Sequence, residues 1–133
     1  MKYYPPEISK LPFIVAVSGG RQYRDRERVF AVLDRVHKTS TIDLLIQGEC
    51  TSGGADLYAR LWAKAREVNS LSIPAKWLRF PDNPDWRYRA GPVRNFEMST
   101  WKPDLWIFFP GGSGTEDAFG VARRANIKRR RVK

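Results

Sequence analysis

A single cysteine and a single histidine in 133 residues exclude two large classes of small protein at once. Cys50 has no partner for an internal disulfide, and Cys50 with His37 cannot complete a Cys/His zinc site, so both read as structural or surface residues. No apolar run approaches the roughly 20 residues that span a bilayer, so no membrane partner is expected. The opening residues, MKYYPPE, contain no apolar core of a secretory signal, and a cytoplasmic protein is the expectation. Acidic residues are scarce: 14 stand against 24 Lys and Arg, a formal charge of +10, and residues 128–133 are nearly all cationic. That balance fits a polyanionic partner, a negatively charged small ligand, or merely a solvated basic surface. A composition 42% hydrophobic and 29% charged is that of a folded chain, and the length is that of one domain. Neither a metal nor a cofactor is implied.

What is present is an alternation of short apolar runs and helical patterns. Residues 1–12, with three prolines, read as an arm, and residues 13–133 as one domain. Buried strands are predicted at 13–17, 42–46 and 105–109, with a short strand at 72–78 and a charged edge strand at 129–132. Asp25 caps a predicted helix with Val29, Val32, Leu33 and Val36 on its apolar face. A second helix opens at Ser52-Gly53-Gly54-Ala55-Asp56 and carries Leu57, Leu61, Ala65 and Val68. A Pro-, Arg- and aromatic-rich loop fills 79–92, then helices follow near 92–101 and 116–125. This β-α-β-α-β-α-β-α-β order predicts a Rossmann-like three-layer sandwich with a five-stranded parallel sheet, order 3-2-1-4-5.

In that order the first and fourth strands are neighbours where the winding reverses, the place where open α/β sheets bind ligands. Both end in glycine turns: Ser18-Gly19-Gly20-Arg21 and Pro110-Gly111-Gly112-Ser113-Gly114-Thr115. A glycine turn feeding a helix lets backbone N–H groups approach an anion, aided by the helix dipole, although such a turn can also serve geometry alone. No lysine follows the glycines, so this is not a Walker A loop. The expected phosphate cradle is the backbone of 19–21 and 111–115. Arg21 is read as a bidentate phosphate ligand or an exposed basic residue. Arg94 and Asn95, taken to start the helix after Pro92, are read as anion binders or cap residues. Thr115 is a phosphate donor or a helix cap, and Asp56 a ribose ligand, a base, or a first-turn acid favouring the dipole. Trp77, Phe80, Trp86 and Tyr88, interleaved with Arg79, Arg87 and Arg89, could stack on a nucleobase, line a single-strand platform, or pin the loop to the core.

These segments together resemble the SLOG superfamily, the Rossmann-like group that includes the Lonely Guy phosphoribohydrolases, and within it the YspA-related branch of small stand-alone domains. The resemblance spans roughly residues 13–127. Its carriers are Ser-Gly-Gly-Arg at 18–21 with Tyr23 and Asp25, Gly48, Gly-Gly-Ala-Asp at 53–56, Trp62-Ala63, Gly-Pro-Val-Arg-Asn at 91–95 with Met98, and Phe-Pro-Gly-Gly-Ser-Gly-Thr at 109–115 with Asp117. It implies a cleft for a nucleotide or nucleotide-derived ligand such as a nucleoside monophosphate, ADP-ribose or an NAD-like molecule. The residues it points to are Ser18, Gly19, Gly20, Arg21, Gly48, Gly54, Asp56, Arg94, Asn95 and 110–115. In the Lonely Guy enzymes the motif continues to a catalytic glutamate three residues after the Thr. Here that position is Ala118, and Asp117 stands one residue earlier, turned by roughly 100° on a helix.

The reading is therefore a protein that senses, sequesters or processes a nucleotide. Two alternatives stay open. One is a phosphoribohydrolase cleaving an N-glycosidic bond, with Asp117 and Arg94 as its catalytic pair and Glu116, Glu49 or Asp56 as other carboxylates in reach, although Asp117 is read first as a support for the glycine turn. The other is a single-stranded DNA binder, since the DNA-processing protein A family belongs to the same superfamily. A homodimer, through Trp62 or Trp101 taken as exposed, is also left open.

Overall fold

The strongest apolar runs form the centre of the sheet. β1 (Ile14–Ser18), β2 (Leu44–Gln47) and β4 (Leu105–Phe108) lie side by side, flanked by β3 (Asn69–Ser72) and β5 (Arg129–Arg131). All pairings are parallel, and the order is β3-β2-β1-β4-β5. The computed structural model describes residues 11–48 and 53–133. The predicted N-terminal arm up to residue 10, and Glu49, Cys50 and Ser52, lie outside the described residues.

Central strands bury both faces, and alternate side chains feed two cores. Val15, Val17, Leu105, Ile107 and Phe109 pack under α1 (Arg26–Thr39) and α2 (Gly54–Ala65). Ala16, Ile46, Trp106 and Phe108 pack under α3 (Trp86–Thr100) and α4 (Ser113–Arg124). The Trp106 and Phe108 rings stack at 5.4 Å, and the Trp106 indole donates to Ser18 Oγ at 2.9 Å. Asp25 caps α1 by accepting from Arg28 N–H at 3.0 Å.

Five expectations need correction. The third strand lies at 69–72, not 72–78, because Pro74 has no N–H to give the ladder. Only Ile73 N–H, on Gln47 O at 2.8 Å, extends the pairing beyond Ser72. The helix placed near 92–101 starts at Trp86, so Pro92 lies inside it. The last helix starts at Ser113, not Glu116. Finally, α2 buries Ala55, Ala59, Trp62 and Ala63, while Leu61 stands at 36% exposure. Trp62 is 0% exposed and donates its indole N–H to Asp34 at 2.8 Å, so it is core and not a dimer contact. Trp101 is 48% exposed.

Gly54 explains how α2 meets the first glycine turn. Its φ is +86°, and a Cβ there would strike Gly20 O and lie 2.5 Å from Arg21 Cα. Ala55 N–H also donates to Gly20 O at 3.3 Å. Gly54→Ala therefore combines a disfavoured φ with a backbone collision. Urea denaturation should find it destabilised by about 2 kcal/mol or more, and a loss below about 0.5 kcal/mol would contradict this packing.

Candidate functional site

The turn after β1 and the turn after β4 are bonded to each other. Gly20 N–H donates to Pro110 O at 2.9 Å, and Phe109 N–H donates to Ser18 O at 2.9 Å. Arg24 braces the first turn from outside by donating to Arg21 O at 2.6 Å. The two turns share one rim of a cleft of about 1100 Å³ at the carboxyl ends of β1 and β4. Around it the structure places Ser18, Gly19, Gly20, Arg21, Gly48, Asp56, Arg94, Asn95, residues 110–115 and Asp117.

Gly54, expected to bind ligand, does not line the cleft; it packs behind the first turn. The Gly20 amide is likewise committed, to Pro110 O, and is not an anion donor. The open donors lie on the second turn. Ser113, Gly114 and Thr115 are the first three residues of α4, where an N–H has no intrahelical acceptor. Gly112 occupies the cap position with no side-chain cap, so Thr115 is not the helix cap. Instead Thr115 is buried, with its hydroxyl directly beneath Gly111, where any Cβ would collide with it.

Arg94 and Asn95 sit in the middle of α3, so they cannot offer a helix N-terminus to an anion. Their work is lateral. Arg94 Nη1 donates to Gly48 O at 2.8 Å, and its Nε donates to Asn95 Oδ1 at 2.9 Å. Asn95 Nδ2 in turn donates to Asp117 Oδ2 at 2.9 Å and to Gly114 O at 3.3 Å. This chain of bonds ties the end of β2 to the first turn of α4 and fixes the direction of its open amides. Asp117, one member of the expected catalytic pair, is engaged in that brace. Glu116 is turned outward, paired with Arg131 at 2.7 Å.

Asp56 is different. It lies buried in the first turn of α2, and a Cβ on Gly48 would come within 2.9 Å of its Oδ2. Burial pushes its carboxyl up to about 6, partly offset by the nearby charges of Arg94 and Arg21. Gln22, Pro74 and Ala75, which carry no sequence signal, also line the cleft, as does Met98. Of the four loop aromatics, Trp77 and Tyr88 face the cleft, whereas Phe80 and Trp86 pack edge-to-face on each other at 4.9 Å.

The Asp56 shift has a stability consequence whose sign is fixed. The folded value, about 6, lies above the ordinary 3.8, so the fold favours the protonated acid. Stability from this group is full below about pH 4 and is lost as pH rises toward 6, by about 3 kcal/mol in all. Asp56→Asn mimics the protonated form. Urea melts should show the variant more stable by up to about 3 kcal/mol at pH 8, converging with the parent near pH 4. Parallel curves across that range would contradict the assignment.

Comparison with known proteins adds the context. The family model described as "YspA, cpYpsA-related SLOG family" matches residues 13–80. No curated protein matches the sequence. Among solved structures, the molybdenum cofactor binding protein from the phototrophic bacterium Rippkaea orientalis superposes with a TM-score of 0.67 at 19% identity, covering 92% of this chain and 78% of that one. The Moco carrier protein from Chlamydomonas reinhardtii gives 0.64 at 16% identity, covering 92% and 76%. A UDP-N-acetylglucosamine 2-epimerase gives 0.57 at 16%, covering 92% of this chain but 33% of its own. At these identities the likeness is one of fold. With just over half of its length matched by the family model, the chain belongs to the YspA, cpYpsA-related SLOG family.

Proposed function

We propose that the protein binds a small phosphate-bearing ligand of the nucleotide class and holds it without turnover, as a sensor or a sequestering protein. The phosphate sits at the N-terminus of α4, with Arg21 beside it and the sugar toward Asp56. The observation that carries this reading is a pair of glycines the protein does not itself need. A Cβ on Gly112 or Gly114 would meet nothing within 4 Å, and neither residue has a positive φ. A glycine inside a helix is disfavoured against alanine by up to about 1 kcal/mol, so open space at Gly114 fits a position kept clear for a ligand. Two neighbours in fold carry or bind a small cofactor by description, and this use of the fold supports the same kind of role here.

A second reading is favoured by one observation. A carboxyl titrating at about 6 is suited to exchange a proton near neutrality, as N-glycosidic cleavage of a nucleoside monophosphate requires. In that case Asp56 is the acting carboxyl, and Asp117 with Arg94 positions it.

Thermal unfolding with AMP, ADP-ribose and NAD, followed by product analysis, separates the readings. A saturable rise in Tm with no product supports the binder. Gly114→Ala should leave the free protein as stable or more stable, by up to about 1 kcal/mol, yet weaken the stabilising ligand about tenfold or more. Unchanged affinity in that variant would remove the main support for the phosphate site. Release of adenine from AMP, abolished in Asp56→Asn and only reduced in Asp117→Asn, would establish the hydrolase instead. Binding to oligo-dT alone, collapsing steeply between low and moderate salt, would favour nucleic acid over both.

A further inference from the structure

Trp77 and Tyr88 form the mouth of the cleft, and their surroundings divide the four loop aromatics into two jobs. Trp86 donates its indole N–H to Lys76 O at 2.7 Å and packs against Phe80, which locks the β3–α3 connection to the start of α3. Trp77, next to the anchored Lys76, is left 46% exposed, and its indole N–H has no acceptor among the described residues. The ring lies over Gly91, with Cη2 3.5 Å from where a Cβ would be. Tyr88 is 67% exposed; Arg87 lies over its ring at 4.8 Å and donates to its hydroxyl at 2.8 Å. Aromatic rings of this size usually bury large areas, yet Trp77 rests on Gly91 and Tyr88 on Arg87, and both keep about half or more of their surface exposed on the cleft wall.

We infer that Trp77 and Tyr88 are a stacking subsite for the planar heteroaromatic ring of the ligand. The inference rests on the phosphate reading above and extends it to the other end of the molecule. The volume fits: about 1100 Å³ exceeds what a phosphate or a sugar phosphate would fill, and the cleft runs from the amides of α4 to these two rings. The rings supply π-faces that accept any planar base, with Arg87 adding a cation beside them. Selectivity among bases then has to come from the polar groups of the wall, while the aromatic pair sets the requirement for a ring.

The test compares probes that share a sugar phosphate and differ only in the ring: the four nucleoside monophosphates against ribose 5-phosphate, by calorimetric titration. Trp77→Ala, at a half-exposed position, is compared with Trp77→Phe and Tyr88→Ala, each first shown to be folded by circular dichroism. The expected result is that Trp77→Ala weakens the best-bound nucleotide about tenfold or more, leaves ribose 5-phosphate unchanged, and is largely rescued by Trp77→Phe. Equal affinity of nucleotide and ribose 5-phosphate for the parent, or an equal loss of both in Trp77→Ala, would overturn the stacking subsite and leave the phosphate site standing. Failure of every probe to bind the parent protein would overturn both.

Discussion

The contact between Gly20 N–H and Pro110 O holds two loops at the point where the sheet changes winding direction, and the rest of the cleft is arranged around it. Such a bond needs two backbones to approach without side chains: a Cβ on Gly111 would lie 2.6 Å from Gly20 N and one on Gly20 only 3.0 Å from Gly111 Cα, while Gly19 and Gly54 are hemmed in by α2, through Ala55 Cβ and through the packing of Gly54 on Gly20 and Arg21. The same bond has a chemical consequence. It consumes the Gly20 amide in joining the turns, so that amide is lost as an anion donor while the first-turn amides of α4 keep theirs. A glycine-rich sequence thus contains two populations. One is demanded by the approach of the two turns; the other, Gly112 and Gly114, faces open space.

Positive charge divides in a similar way. Residues 128–133 looked like a footprint for a polyanion, but part of that run is structural. Arg129 and Arg131 lie over Phe119 at 4.1 and 3.7 Å, and Arg131 also pairs with Glu116. These guanidiniums cover a partly buried ring beside the β5 edge, an arrangement Lys could not reproduce as well. The exposed Arg131–Glu116 pair contributes little by itself. Arg94 is a second case: its guanidinium braces Gly48 and Asn95 while still lowering the Asp56 carboxyl.

Most of the sheet was legible because β1, β2 and β4 are short apolar runs that end in turn residues, and parallel order follows from their spacing. The miss at β3 has a physical cause: Asn69-Ser70-Leu71-Ser72 is a polar edge strand, and the more apolar stretch after it is stopped by Pro74. Gly91-Pro92 reads as a helix boundary in sequence, yet α3 runs through it from Trp86. Pro92 lacks the N–H that would have bonded Tyr88 O one turn earlier, and both residues line the cleft. α2 was misjudged because Leu57 and Leu61 mark the apolar stripe in sequence. The buried face instead uses small residues, Ala55, Ala59 and Ala63, to admit Trp62. The site was legible where backbone chemistry shows in composition, and illegible where it depended on which face a helical residue presents.

The buried carboxyl is the feature that separates this cleft from a generic phosphate cradle. An anion site gains nothing from a carboxylate at its floor, and charging Asp56 in the fold is unfavourable by about 3 kcal/mol relative to the free side chain. A residue held at such a cost, between two arginines that only partly offset it, is more consistent with selecting a polar group than with stabilising the domain. A carboxylate accepts hydrogen bonds from hydroxyl and amine donors and repels phosphate oxygens, so Asp56 and the amides of α4 favour opposite kinds of group. The fold alone does not specify that chemistry, since the same architecture recurs in proteins of quite different description. What this chain adds to the fold is one cleft lined at once by the first-turn amides of α4, the buried carboxyl of Asp56 and the rings of Trp77 and Tyr88, three unlike chemistries on one wall.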